Sequence, residues 1–197
     1  MIKRYFTLLF LFIFVIGCSN RKKITVPEET GKAAPVFFPI TTYLEGQISE
    51  FGQLQITPLK ITTLNEQVDS SWLKTADLPL IAEPFLHPFI DSAILCKYYN
   101  ESSFLDQTIN SITLAYDPKS LQEDPLSLKS LAVYIDPQSN KVTRIFIEKI
   151  VPENKSTHLQ QLTWKTGRWF KITTITETAG KVPEIKEEKV IWNFDQD

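Results

Sequence analysis

From Lys97 to the C-terminus one pattern repeats: short runs rich in Thr, Ile, Val, Tyr, Phe and Trp, each closed by turn-forming residues. Ile112, Leu114 and Tyr116 alternate before Asp117-Pro118, and Leu131, Val133 and Ile135 alternate before Asp136-Pro137. A period of two puts every second side chain on the same side of the chain, so each run predicts a strand with one apolar face. Pro137-Gln138-Ser139-Asn140 predicts a turn into a strand over 142–149, making a hairpin. Leu162 and Trp164, a Thr166-Gly167 turn and a strand over 169–175 predict a second hairpin. Val190, Trp192 and Phe194 share one side of a last strand. Turns this short cannot join parallel neighbours, so the strands form an antiparallel meander with one wet face unless the sheet curls.

The first half carries helical signals instead. Ile40, Leu44, Ile48 and Phe51 recur at helical spacing behind Pro39, which suits a first turn, and Gly52 is placed to close the helix. Leu54 and Ile56, then Leu59 and Ile61, alternate around Pro58 and predict an edge strand with a break. Asp69-Ser70-Ser71 reads as a turn before Trp72 and Leu73. Asp77 is placed to cap a second helix with Pro79 in its first turn, while Pro84 and Pro88 forbid one long regular helix. Leu80, Ile81, Phe85, Leu86, Phe89, Ile90, Ile94 and Leu95 still need cover, which predicts broken helix lying on the sheet. The expected fold is therefore α+β. Its sheet has about six antiparallel strands, flat or curled, with the N-terminal helix and the broken segment on one face, as one domain over 37–197.

The N-terminus has a different logic. Lys3 and Arg4 precede an apolar run from Tyr5 to Ile16 that Thr7 interrupts, the order of charge and grease found in secretory signals. The run is short for a bilayer span, which takes ~20 apolar residues. It ends in Val15-Ile16-Gly17-Cys18, which resembles the bacterial lipobox. That resemblance implies a signal peptide over 1–17, cleavage before Cys18, and a lipid-modified Cys18 as the membrane anchor. Two or more acyl chains hold a protein stably where one would not. Ser19 stands where an inner-membrane retention signal would place Asp, so the outer membrane is the expected home in a two-membrane organism. Residues 18–36 are polar with Pro27, Gly31 and Pro35 and read as a flexible linker reaching at most ~60 Å. Arg21-Lys22-Lys23 in that linker could touch acidic headgroups or simply keep the tether soluble.

Catalytic motifs are missing. There is no glycine-rich phosphate loop, nucleophile elbow or paired-histidine metal helix. With Cys18 committed to lipid, Cys96 has no second cysteine to bridge with, and in Ile94-Leu95-Cys96 it reads as a small buried hydrophobe. His87 and His158, the two histidines, are too few for a catalytic zinc site, which takes three protein ligands. The acid pairs Glu28-Glu29, Glu123-Asp124 and Glu187-Glu188 sit in polar surroundings, and Glu101 with Asp106 flanks Ser102, Ser103 and Phe104 in what reads as a turn. A net charge of −2 argues against nucleic acid. No cofactor or metal is expected.

The aromatics stand out more. Trp164, Trp169, Phe170 and Trp192 crowd the last third, either as core or, where exposed, as a ligand or partner surface. The expected function is that of an envelope lipoprotein with a non-catalytic binding or assembly domain for a protein partner. The alternative is a carrier of lipid or another apolar ligand held between sheet and helix. An anchored antiparallel sheet with helices on one side resembles the architecture of lipoprotein-carrier proteins, which implies such a cavity.

Overall fold

The computed structural model describes residues 36–53, 56–120, 124–153 and 156–194. The signal segment, Cys18, the linker up to residue 35, Leu54 and Glu123 lie outside the described residues.

Helix α1 (Ile40–Gly52) buries Ile40, Thr41, Leu44, Ile48 and Phe51, the stripe that its spacing foretold. Pro39 is the residue before the first turn, and Gly52 is the last helical residue. Gln53 follows in the right-handed region, so Gly52 does not act as a left-handed cap. Thr41 ties the helix to the next helical segment: its Oγ1 accepts the Ile90 N–H at 2.8 Å, and its own N–H donates to the Ile90 carbonyl at 3.2 Å.

Strands β1 (Leu59–Leu64) and β2 (Gln67–Trp72) form a hairpin over Asn65 and Glu66, with φ of 48° and 70°. Two consecutive positive φ values match the twist of such a tight turn. This corrects two expectations. Asp69, Ser70 and Ser71 lie on a strand rather than in a turn, and β1 pairs on both sides, so β2 is the edge. Every residue of β2 is exposed. A strand wet on both faces has no need of apolar alternation, so the pattern carried no trace of it.

A 3-10 turn (Thr75–Asp77) leads into α2 (Leu78–Leu86), with Pro79 in its first turn. Pro84 lies inside α2, which stops two residues later. Asp91 then caps α3 (Ser92–Tyr98), its carboxylate accepting the Ile94 N–H at 2.7 Å. The broken apolar stretch is thus two short helices. Leu78, Ala82, Phe85, Ile90 and Leu95 from this stretch are buried in the core.

Strands β3 (Tyr99–Asp106), β4 (Ser111–Pro118), β5 (Leu128–Ile135), β6 (Val142–Glu153), β7 (Ser156–Lys165), β8 (Trp169–Thr178) and β9 (Glu184–Ile191) follow as a meander. The β1–β2 hairpin returns to pair with β9, giving one antiparallel sheet in the order β2-β1-β9-β8-β7-β6-β5-β4-β3. The class and the antiparallel pairing are as expected, but among the described residues the sheet has nine strands rather than about six. Its end strands do not meet, so it is open. Edge strand β3 was hidden for the same reason as β2: from Asn100 to Leu105 it is exposed, and Glu101 and Asp106 lie along it rather than in a turn.

Register sorts the side chains into two faces. Leu114, Val133, Ile145, Trp164, Phe170 and Val190 stand directly opposite one another from β4 to β9. The next row on the same side is Tyr116, Leu131, Ile147, Leu162 and Ile172. Together with the buried residues of α1, α2 and α3 these rows make up the hydrophobic core. The helices therefore cover one face, and the other is outer.

Candidate binding surface

The four aromatics singled out from the sequence do not form one surface. Trp164 and Phe170 face each other across β7 and β8 with their rings stacked at 5.3 Å and 13°. Phe85 of α2 meets both edge-on at 5.4 Å, and Trp192 lies 5.6 Å from Trp164 and 6.1 Å from Phe170. Phe51 of α1 closes the cluster edge-on to Trp192 at 5.0 Å. Trp164 is 1% exposed and Phe170 and Phe85 are 0%. Offset and edge-on aromatic pairs of this kind bind the two layers together. Trp164, Phe170 and Trp192 are thus core, a correction that parity explains: Trp164 and Phe170 fall on the helix side, and Trp169 pairs with Lys165 on the other.

Trp169 belongs to a row that crosses the whole outer face. In ladder order the row reads Phe104, Thr113, Tyr134, Arg144, Lys165, Trp169, Ile191, Leu59 and Trp72. The neighbouring outer row reads Ser102, Ala115, Ala132, Phe146, Thr163, Lys171, Lys189, Ile61 and Ser70. Neither row contains Asp or Glu. The Arg144 guanidinium lies 3.8 Å from the Tyr134 ring centre, and the Lys189 ammonium lies 4.7 Å from that of Trp169. At one end Trp72, 65% exposed, meets Phe194, 57% exposed, at 6.4 Å.

Two pairings in this band work against folding. Arg144 stands directly opposite Lys165, and Lys171 stands directly opposite Lys189. Like charges directly opposed across an antiparallel pair destabilise it, whereas opposite charges would stabilise it by ~0.2–1 kcal/mol. Relief comes from the two aromatic rings, from a further interaction of Lys165, and from Glu187, whose carboxylate is 3.1 Å from Lys171 Nζ. Acids flank these two rows on the outer face: Asp106 opposite Ser111 lies just beyond the first, and Asp117, Glu148 and Glu187 stand in the third, opposite Asn100, Gln161 and Thr173.

Several other polar groups have partners of their own. Lys149, 4% exposed, reaches beneath the end of α2, where its Nζ donates to the carbonyls of Pro84, at 2.6 Å, and of His87. Burial pushes its pKa down to about 8, against the pull of Glu83. A cation on the last carbonyls of a helix is a C-terminal cap. An open cleft of about 370 Å³ lies beside it, lined in part by His87, Leu126, Ile150 and Gln160. A second cleft of about 510 Å³ shares Ser127, Ile150 and Pro152 with it. Asp124, at the edge of that second cleft, accepts the N–H groups of Leu126 and Leu128 at 2.9 Å and the Tyr99 hydroxyl. His87 faces Glu83 at 3.7 Å on the surface, and His158 lies on β7 between Ser156 Oγ at 3.2 Å and Thr176 Oγ1 at 3.0 Å. Cys96 is half-buried on α3 with its sulfur 4.0 Å from Ser92 Oγ.

Glu187 and Glu188, adjacent in sequence, point to opposite faces. Burial raises the Glu188 pKa, but Lys60 at 2.6 Å and Lys186 at 2.9 Å outweigh it and hold the carboxyl below its usual range. Among the described residues no three His, Cys, Asp or Glu side chains converge on a common point as metal ligands would. The chain matches no protein-family model, and no curated protein matches it.

The band's cations escaped the sequence reading because each sits in a different strand. One pair lies close in sequence: counting outward from a three-residue Thr166-Gly167-Arg168 loop places Lys165 opposite Trp169, whereas a two-residue Thr166-Gly167 turn would place it opposite Arg168.

Proposed function

We propose that this chain is a membrane-anchored envelope lipoprotein, held through lipid on Cys18, whose folded part is a non-catalytic binding or assembly domain acting through its outer face. The observation that carries this reading is the pair of like-charged ladder positions, Arg144 with Lys165 and Lys171 with Lys189. Where local rules of stability are broken without a folding gain, function is the usual reason. The filled aromatic layer beneath α2 supports the same reading, since Phe85 occupies the space that a ligand between sheet and helix would need. In a two-membrane organism the outer membrane is the favoured site, on the strength of Ser19.

A second reading, a carrier of lipid or another apolar ligand, draws support from the open antiparallel sheet with helices on one side and from the two adjoining clefts, one beside Lys149 and one beside Asp124. One experiment separates the two. The full chain is expressed in a bacterial host, recovered from membranes and weighed intact, then extracted under denaturing conditions for bound lipid. Acyl mass on Cys18 with no other stoichiometric lipid is the expected result. A stoichiometric free lipid puts the carrier first, and an unacylated chain in the soluble fraction removes the anchor.

A further inference from the structure

We propose that the cation–aromatic band of the outer face docks on the anionic phospholipid surface of the membrane that holds the chain's own anchor. The proposal rests on the lipoprotein reading above and names the first partner of that face.

The chemistry of the band selects the occupant. Arg144, Lys165, Lys171 and Lys189 form a block across β6, β7, β8 and β9, and no acid lies in their two rows. Trp169 and Tyr134 lie under two of these cations, with Trp72 and Phe194 exposed at the band's end. Trp and Tyr beside Lys and Arg is the composition of segments that rest at a membrane–water interface, because the rings are apolar with a polar edge and the cations meet phosphate. Among the described residues, Asp106 and Asp136 are acids at this end of the strands; the Asp106 carboxylate accepts the N–H of Thr108 at 2.9 Å, and that of Asp136 accepts the N–H groups of Gln138 at 2.7 Å and Ser139 at 3.0 Å. Phosphate between Arg144 and Lys165, or between Lys171 and Lys189, would add a bridging anion to each like-charged pair. The chain outside the structure permits the contact: the residues between Cys18 and Val36 span up to ~60 Å when extended, enough to leave any face free to turn toward the bilayer. A nucleic acid would find the same charges, but an acylated Cys18 confines the domain to within a linker's length of a lipid surface.

The test uses the full mature chain in vesicles. One set contains only phosphatidylcholine and the other includes phosphatidylglycerol, both with lipids brominated near the top of the acyl chain as quenchers. Trp164 and Trp192 are core, so a change in quenching reports on Trp72 and Trp169. Stronger quenching in the anionic vesicles is expected, with loss of the difference near 1 M salt, where the screening length is ~3 Å. The R144Q/K165Q/K171Q/K189Q variant should lower the ratio of docked to undocked chain by ~5-fold per charge removed. That variant removes repulsive pairs, so its fold should hold, and its unfolding midpoint is measured alongside. W169F, which keeps an aromatic ring, should retain docking while losing part of the signal. Equal quenching in both vesicle types, or quenching that the charge variant leaves unchanged, overturns the proposal and leaves the band to an acidic protein. Failure of the anchor shows separately, as a chain without acyl mass that washes off membranes. The band is then judged by whether that chain sediments with anionic vesicles and not with neutral ones.

Discussion

Truncating Phe85 to alanine measures how full the space between helices and sheet is. The ring is 0% exposed and meets Trp164 and Phe170 edge-on at 5.4 Å each. Phe→Ala in a core that cannot collapse costs ~3–5 kcal/mol. Two edge-to-face pairs, each ~0.5–1.5 kcal/mol beyond area burial, place Phe85 in the upper half of that range. With a urea slope of ~2 kcal/mol/M, the unfolding midpoint should fall by ~2 M, followed through tryptophan emission. Leu80 on the same helix is 79% exposed, and L80A should stay within ~0.5 kcal/mol of the parent. The hole left by F85A is lined by aromatic rings, so benzene should recover part of the loss. A midpoint shift below ~0.5 M, or under ~1 kcal/mol at that slope, would refute the reasoning. It would mean that the ring borders empty space, and the case against an internal ligand cavity would go with it.

Three further outcomes follow from the same contacts. Lys149 is neutralised more easily in the fold, at about 8, than in the unfolded chain, near 10.5, so below pH 8 its buried charge costs stability that is regained as pH rises toward 10. Pro84 and His87 carbonyls and nearby solvent reduce the gain to roughly 1–2 kcal/mol, and K149M should flatten that slope in pH-dependent urea titrations. Above pH 10 the trend reverses, because burial raises the hydroxyl pKa of Tyr43, Tyr99 and Tyr116, so the unfolded chain ionises first. Gly167 turns the β7–β8 hairpin at φ of 72° with open space where a side chain would go, so G167A should cost ~1 kcal/mol from backbone strain alone, and a loss above ~3 kcal/mol would contradict it. T41V keeps the shape but strands the buried Ile90 N–H, costing ~1–3 kcal/mol by the same titration, and an unchanged midpoint would show that the α1 clasp carries no weight.

How much of this was legible depended on how many faces of each element are buried. Ile40, Leu44, Ile48 and Phe51 announced α1, and Asp136 with Pro137 announced the β5–β6 turn, because one dry side leaves a period in the sequence. Gln67–Trp72 left none, since both of its sides are wet, and its polar Asp69-Ser70-Ser71 imitated a loop. The same limit governed the site. Trp164 and Phe170 were visible as aromatics, but their face depends on register across the turn, and a one-residue shift exchanges core for surface. Arg144 and Lys165 are far enough apart in sequence that only the β6–β7 ladder brings them together. Opposed like charges are a property of pairing, and composition averages them away against the acids of the next row.

That next row bears on how the domain would stand on a membrane. Successive rows on one face are two residues apart, or ~6.8 Å along a strand, so Glu148 and Glu187 begin ~14 Å beyond the row of Arg144 and Trp169. At physiological salt the screening length is ~8 Å. A domain lying flat would bring these acids to the anionic surface together with the cations, and the net attraction would be small. Tilted so that the turns at Asp136 and Gly167 point toward the bilayer, it would bring the row of Arg144, Lys165 and Trp169 closest and set Glu148 and Glu187 farther off, against the opposing charges of Asp106 and Asp136 at the strand tips. Trp72 and Phe194 lie at the same end of the strands as those turns, so the apolar and electrostatic contributions favour the same pose. Segregation of charge along the strands, more than its total, is what would orient the outer face.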